Sequence, residues 1–152
     1  MMNHNHQGFT LMEMVVIVAI IAIMASIAIP SYQDSLRKSR RADAQVALVG
    51  LAAALERHNT INGAYTGAGT VDNDTGAPTI YPSTSPSDGS TAYYQLTIKS
   101  ADASTFELRA TPIETTSQKG NGFLSLNQLG QKKWDKNNNA SIDADDVNEN
   151  KW

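Results

Sequence analysis

The chain changes pattern near its thirtieth residue. Val15 to Ile29 is apolar at every position except Ser26, and Phe9 to Pro30 makes 22 residues, about enough for one helical crossing of a bilayer. Beyond Pro30 the apolar residues become periodic. Val46, Val49 and Ala53, with the set Leu48, Leu51 and Leu55, recur at steps of three and four, as on an amphipathic helix. Ala42, Ala44, Ala47, Ala52 and Ala54 favour helix and let a partner approach closely. Asn62-Gly63 is a stop signal, so helix is predicted from Phe9 to about Asn59, 51 residues or about 77 Å if wholly helical. No sustained heptad with charged flanks supports a coiled coil.

Thr66 to Ser90 is rich in Gly, Thr, Ser, Asp and Pro and reads as a long irregular loop. Two alternating runs follow. Tyr94, Leu96 and Ile98 share one face of Tyr93 to Lys99, and Phe106, Leu108 and Ala110 share one face of Thr105 to Thr111. The polar stretch Ser100 to Ser104 joins them as a hairpin. Gly122 to Leu126 is a third strand, and Gln131 to Trp134 a fourth after the Leu129-Gly130 turn. The expected fold class is α+β: a long N-terminal helix whose second half lays its Val46 to Leu55 stripe on an antiparallel sheet of about four strands. The predicted divisions are 1–8, 9–30 (apolar helix), 31–60 (amphipathic helix), 61–92 (loop), 93–134 (sheet) and 135–152 (C-terminal loop).

Charge adds a polarity. The net is -3, but Arg37, Lys38, Arg40 and Arg41 cluster just after the apolar run. From Thr60 onward eleven acids face seven bases, a net of -4. A mildly acidic distal domain is a poor match for a phosphate backbone, which disfavours nucleic acid as a partner. There are no cysteines, so no disulfide staples the loops as is common in small exported domains. His4, His6 and His58 cannot meet in one site, because two of them lie in the first eight residues. With no nucleophile triad, paired carboxylates or phosphate-binding glycine loop on a recognisable scaffold, the chain is not expected to be an enzyme.

Glu13 is the anomaly of the apolar segment. A carboxylate in a membrane span costs on the order of 2.5–3.5 kcal/mol on insertion scales. One reading is an acid at a helix end, snorkelling to the headgroups and favoured by the helix dipole. The other is an acid awaiting a cation on assembly, such as a new α-amino group at Phe9 of a neighbouring copy. The residues Gly8-Phe9-Thr10-Leu11-Met12-Glu13, the apolar run behind them and Pro30 closely resemble the class III signal of type IV prepilins. The resemblance implies cleavage by a prepilin peptidase between Gly8 and Phe9 and methylation of the new Phe9 terminus. It implies that Glu13 registers subunits in the filament, and that Pro30 lies where the helix bends or locally melts. A positive-inside count alone would put Arg37 to Arg41 in the cytoplasm. The resemblance implies the reverse, an inner-membrane precursor with its globular domain periplasmic, then an extracellular pilus. The implied partners are other pilin subunits, the prepilin peptidase and the assembly platform.

Within the pilins, Ser39-Arg40-Arg41-Ala42-Asp43-Ala44-Gln45, Leu55-Glu56-Arg57, Tyr94-Gln95-Leu96 and Phe106 to Ala110 look like the PilE-type minor pilins and their DNA-uptake relatives. That group usually carries a cysteine before the third strand and another near the end, where Gly122 and Lys151 stand here. The implied function is that of a major or minor pilin, with adhesion, twitching motility and DNA uptake as family roles. The alternatives are a type II secretion pseudopilin and a DNA-binding minor pilin for competence.

Residues 135–146 carry oxygen donors at Asp135, Asn137, Asn139, Asp143 and Asp146, the first, third, fifth, ninth and twelfth places of a calcium loop. Ser141 stands seventh, where a backbone carbonyl serves, and apolar Ile142 eighth. The sixth place holds Ala140 in place of glycine, and the twelfth Asp146 in place of glutamate. Ca²⁺ bound by these residues is the expected cofactor. The competing reading is a solvated Asn/Asp turn.

Overall fold

The computed structural model describes residues 9–72, 74–89, 91–142 and 152. Helix α1 runs from Leu11 to Asn62, 52 residues, three residues past the predicted end. It stops at Gly63, where φ is +78° and the amide donates to the Asn59 carbonyl at 2.7 Å. A left-handed residue at this place is the common way a helix ends. The chain forms two compact units, 1–36 and 37–152, which share this helix.

In the first unit the most apolar 18-residue stretch of the helix has none of its length buried. Phe9, Leu11, Met24 and Ile27 are all more than two-thirds exposed, so this apolar surface is not the core of a soluble fold. Helix continues unbroken through Pro30, where a bend or a local melt was expected. A proline removes one donor and crowds the preceding turn, and here that loss does not end the helix.

The second unit packs α1 on an antiparallel sheet. Its strands are β1 (Gly69–Val71), β2 (Thr75–Pro78), β3 (Thr84–Ser85), β4 (Tyr94–Ala101), β5 (Phe106–Pro112), β6 (Leu124–Asn127) and β7 (Lys132–Trp134), in the order β1-β2-β4-β5-β6-β7, with β3 also paired to β4. Strands β4 to β7 are the four expected strands. The first three lie in the stretch predicted to be irregular. Their Gly, Thr and Pro residues show no apolar alternation, and tertiary pairing holds them: Gly76 opposite Ile98, Thr84 opposite Gln95.

Tyr94, Leu96, Ile98, Phe106, Leu108 and Ala110 are buried as the alternation predicts, and Leu124 and Leu126 join them. On the helix the buried set is Ala44, Leu48, Leu51, Ala54 and Leu55. Val46 is 72% exposed and Val49 45%, which corrects the expected stripe. Two residues are about 200° of helical turn, so positions 46 and 48 cannot face the same partner. The leucines take the sheet and the valines face outward.

Gly50 permits a close approach. A methyl group there would stand 2.8 Å from Cζ of Tyr81, which packs partly buried against the core. In an exposed helix interior Gly→Ala gains about 1 kcal/mol. Here Gly50→Ala is expected to lower stability by about 1 kcal/mol, and to raise it in a Tyr81→Ala background. A double-mutant cycle of thermal melts reads this coupling; equal effects in both backgrounds would refute it.

The β4–β5 turn is closed by Asp102. Its Oδ1 accepts the amides of Ser104 and Thr105, each at 2.7 Å, and its Oδ2 accepts the Thr105 hydroxyl at 2.6 Å. These bonds, led by the Thr105 hydroxyl, lower its pKa from 3.8 to about 2. A carboxyl whose folded pKa is depressed adds stability above its unfolded value and loses it as pH falls through the folded value. The gap in melting temperature between wild type and Asp102→Asn is therefore expected to be full above pH 4 and to close toward pH 2.

Candidate functional site

At the start of α1, Thr10 and Glu13 form a reciprocal cap. The Thr10 amide and hydroxyl donate to Glu13 Oε2 at 2.8 and 3.0 Å, and the Glu13 amide donates to Thr10 Oγ1 at 3.2 Å. This is the capping-box arrangement of a helix N-terminus. Phe9 is 75% exposed beside it, and Gly8 lies outside the described residues. The sequence offered Glu13 either the headgroups and the helix dipole or a cation on another chain; its bonds to Thr10 of its own chain were missed, although Thr10 stands three places before it.

The basic cluster after the span divides. Arg37 and Lys38 are exposed, whereas Arg40 and Arg41 fold onto the domain. The Arg40 guanidinium lies 3.8 Å above the Tyr93 ring and bonds the Ser117 hydroxyl. Arg41 lies 3.9 Å above Trp134 and donates to Asn121 Oδ1 at 3.0 Å. Asn121 in turn donates to the Tyr94 hydroxyl at 2.7 Å and to Gln118 Oε1 at 2.9 Å. The Trp134 indole N–H closes the ring on the Asn121 carbonyl at 2.7 Å. Burial pushes the Tyr94 phenol pKa up. The clamp ties the segment before β6 to both α1 and β7 in a chain without cysteines. Its members are spread from position 40 to 134, and no sequence spacing announces them.

On the sheet face away from the helix, Thr97, Arg109, Ser125 and Lys133 stand opposite one another across β4, β5, β6 and β7. Arg109, Ser125 and Lys133, with Asn127, Gln128 and Gln131, line a groove of about 560 Å³. Arg109 is paired to Glu107 at 3.0 Å and lies 4.2 Å above the Phe123 ring, so the groove's two cations are offset by one acid.

In the predicted calcium loop, Asp135 is 1% exposed. Its Oδ1 accepts the Asn139 amide and its Oδ2 the Ala140 amide, both at 3.0 Å. Asn137 Oδ1 accepts the Asn139 amide at 2.9 Å, and Asn139 Oδ1 accepts the Ser141 amide at 2.8 Å. Alternate oxygens thus face one tightly turning backbone, in which Asn138 and Ala140 have φ of +57° and +66°. Ala140 takes the left-handed conformation for which the calcium loop keeps glycine. One carboxylate and two amide oxygens are donor types that would suit a hard cation, and each of these side chains here accepts a backbone amide. Asp143 and Asp146 lie outside the described residues. Among the described residues no three His, Cys, Asp or Glu gather as a metal site.

Comparison with known proteins gives two family matches. Residues 3–29 match the prokaryotic N-terminal methylation motif. Residues 30–122 match the family described as type IV minor pilin ComP, DNA uptake sequence receptor. Among curated relatives, a type IV major pilin protein PilE1 of Neisseria gonorrhoeae is 31% identical over 87 residues, 57% of this chain and 48% of its own. The fimbrial protein of Neisseria meningitidis serogroup B is 32% identical over 69 residues, 45% of this chain and 41% of its own. The fimbrial protein EcpC of Eikenella corrodens is 43% identical over 44 residues, 29% of each chain. The chain thus matches less than half the length of these relatives. Among solved structures, the non-core minor pilin PilV of Neisseria meningitidis aligns with a TM-score of 0.49 at 18% identity, over 64% of this chain and 85% of that one.

Proposed function

This chain belongs to the type IV pilins, in the family of the minor pilin ComP, and from that premise we propose that it is a filament subunit assembled through its N-terminal helix after processing. The precursor sits in the inner membrane with its globular domain periplasmic. The prepilin peptidase cuts between Gly8 and Phe9, Phe9 is methylated, and the assembly platform moves the subunit into an extracellular pilus. The observation that carries this reading is the helical apolar stretch with none of its length buried. Such a surface is stable only in lipid or against other subunits. Glu13, near its start, registers each copy on the Phe9 amine of a neighbour, and Pro30 is the place where the helix yields during that transfer. Mass spectrometry of sheared surface filaments tests the whole sequence of events. The chain is expected there without residues 1–8 and one methyl group heavier. Retention of those residues, or absence from the filaments, would sink the reading. Residence in a secretion pseudopilus is the alternative, and the same measurement on purified pseudopili distinguishes the two.

The description of the matched family favours DNA capture as a second reading. The acidic distal domain opposes it, and the row of Arg109 and Lys133 is the surface on which it would rest. Two such contacts predict weak binding with a log–log salt slope of about -2. A gel shift of the detergent-solubilised chain, with and without Arg109→Ala and Lys133→Ala, measures it; no shift at low salt removes the reading.

For calcium, Asp135, Asn137, Asn139, Ser141, Asp143 and Asp146 would hold the ion, which would fasten the C-terminal loop. Thermal melts in Ca²⁺ are expected several degrees above those in chelator. One hundred times the dissociation constant of ligand adds about 2.7 kcal/mol. Superimposable melts would leave residues 135–142 as a solvated turn.

A further inference from the structure

We propose that the groove beside β5, β6 and β7 binds an acidic sugar, its carboxylate taken by Arg109 and its hydroxyls by the polar side chains around it. This goes beyond the filament reading and holds whether or not the chain polymerises. The groove measures about 560 Å³, inside the roughly 300–1,000 Å³ of small-molecule sites. One wall is the turn from Ala140 to Ile142. The Asp135 carboxylate holds that turn through the Asn139 and Ala140 amides.

Arg109 is the recognition group. Its guanidinium plane is set twice, by the Nε bond to Glu107 Oε1 at 3.0 Å and by the Phe123 ring at 4.2 Å. Among the described residues no hydrogen bond uses its Nη1 or Nη2. A guanidinium fixed at one edge with its fork open matches the two oxygens of a carboxylate. Because it is ordered beforehand, binding loses less freedom there. Lys133 stands opposite Ser125, which stands opposite Arg109. Its ammonium makes no ion pair among the described residues.

The groups left open around the two cations are mostly donors. Gln128 Oε1 accepts the Phe106 amide at 3.3 Å and Gln131 Oε1 accepts from Asn127 at 2.7 Å. Each glutamine thus keeps its side-chain NH₂ to give. Glu107 has only Oε1 engaged among the described residues, and its Oε2 can accept a hydroxyl proton. A ring carrying hydroxyls and one carboxylate satisfies this set. Nucleic acid satisfies it poorly, since Glu107 repels phosphates and two cations release few counterions. Bases also need an aromatic platform, and Phe106, the aromatic in the lining, is 3% exposed. A protein partner would need a pocket for an apolar anchor, which the same burial denies it.

The test is calorimetric titration of the full chain in detergent with trigalacturonate, monomeric galacturonate, maltotriose, a single-stranded DNA oligonucleotide and a short polyglutamate peptide. Trigalacturonate is expected to bind at millimolar affinity or better. It should bind about tenfold or more tightly than neutral maltotriose, as a charge-assisted hydrogen bond supplies. Arg109→Gln is expected to weaken it by about tenfold or more, and Lys133→Gln by about two- to fivefold. Thermal melts accompany both variants. If Arg109→Gln fails to fold, Lys133→Gln, which has no ion pair to lose, carries the comparison. No binding of trigalacturonate at millimolar concentration, equal binding of maltotriose, or wild-type affinity in the folded variants would overturn the proposal. Tighter binding of DNA or of polyglutamate would overturn it too. A trimer that binds more tightly than the monomer assigns the site to a polysaccharide, and equal binding assigns it to a free sugar acid; each supports the proposal.

Discussion

Gly122→Ala is expected to lower the stability of the chain by about 2–5 kcal/mol, a large part of the roughly 5–15 kcal/mol that holds a typical domain together. Two causes add. The backbone at Gly122 has φ +67°, where an ordinary L-residue is strained by roughly 1–2 kcal/mol. A methyl group there would also stand 2.7 Å from the carbonyl carbon of Asp135 and closer still to its oxygen. Neither side can give way cheaply. Asp135 is buried, its amide pairs with the Phe123 carbonyl at 2.9 Å, and its carboxylate caps the following turn. Gly120 supplies the control, with φ +71° and open space where a Cβ would go. Gly120→Ala should cost only the backbone part, about 1–2 kcal/mol. Denaturant melts of the two variants separate strain from contact, and equal losses would show that the Asp135 carbonyl is not in the way. The same contact disfavours a cysteine at position 122 as it does an alanine.

Legibility from the sequence follows the range over which each element is determined. The helix and strands β4 to β7 were readable because their periods of 3.6 and 2 are local, and Tyr94, Leu96, Ile98, Phe106 and Leu108 are buried where alternation places them. Strands β1 to β3 were not, since Gly69, Thr70, Gly76 and Thr84 carry no pattern and are recruited by neighbours already in the sheet. The helix face was only half readable. Two apolar sets share the same spacing, and only the partner decides which one is covered. The clamp of Arg40, Arg41, Tyr93, Tyr94, Gln118, Asn121 and Trp134 was illegible, because contacts between residues so far apart in the chain exist only once the fold does. At the N-terminal end of α1 the sequence singled out Glu13 by its cost and its motif. The cap that holds it needed coordinates.

The choice between the two helix faces carries the second large prediction. Leu48 is fully buried in the cluster with Tyr94, Leu96 and Leu108, so Leu48→Ala removes apolar contact and leaves a cavity that the sheet cannot close, at about 2–5 kcal/mol. Val46, two positions earlier on the same helix, is 72% exposed. Val46→Ala should change stability by no more than about 0.5 kcal/mol, with a small gain if the better helix propensity of alanine prevails. Both changes shorten an aliphatic side chain in one helix of one unit, so a difference of several kcal/mol between them reports facing alone. Had the Val46 stripe been the one on the sheet, as its spacing equally permits, the order would be reversed. Equal melting temperatures for the two variants would mean that neither set carries the packing of the helix on the sheet.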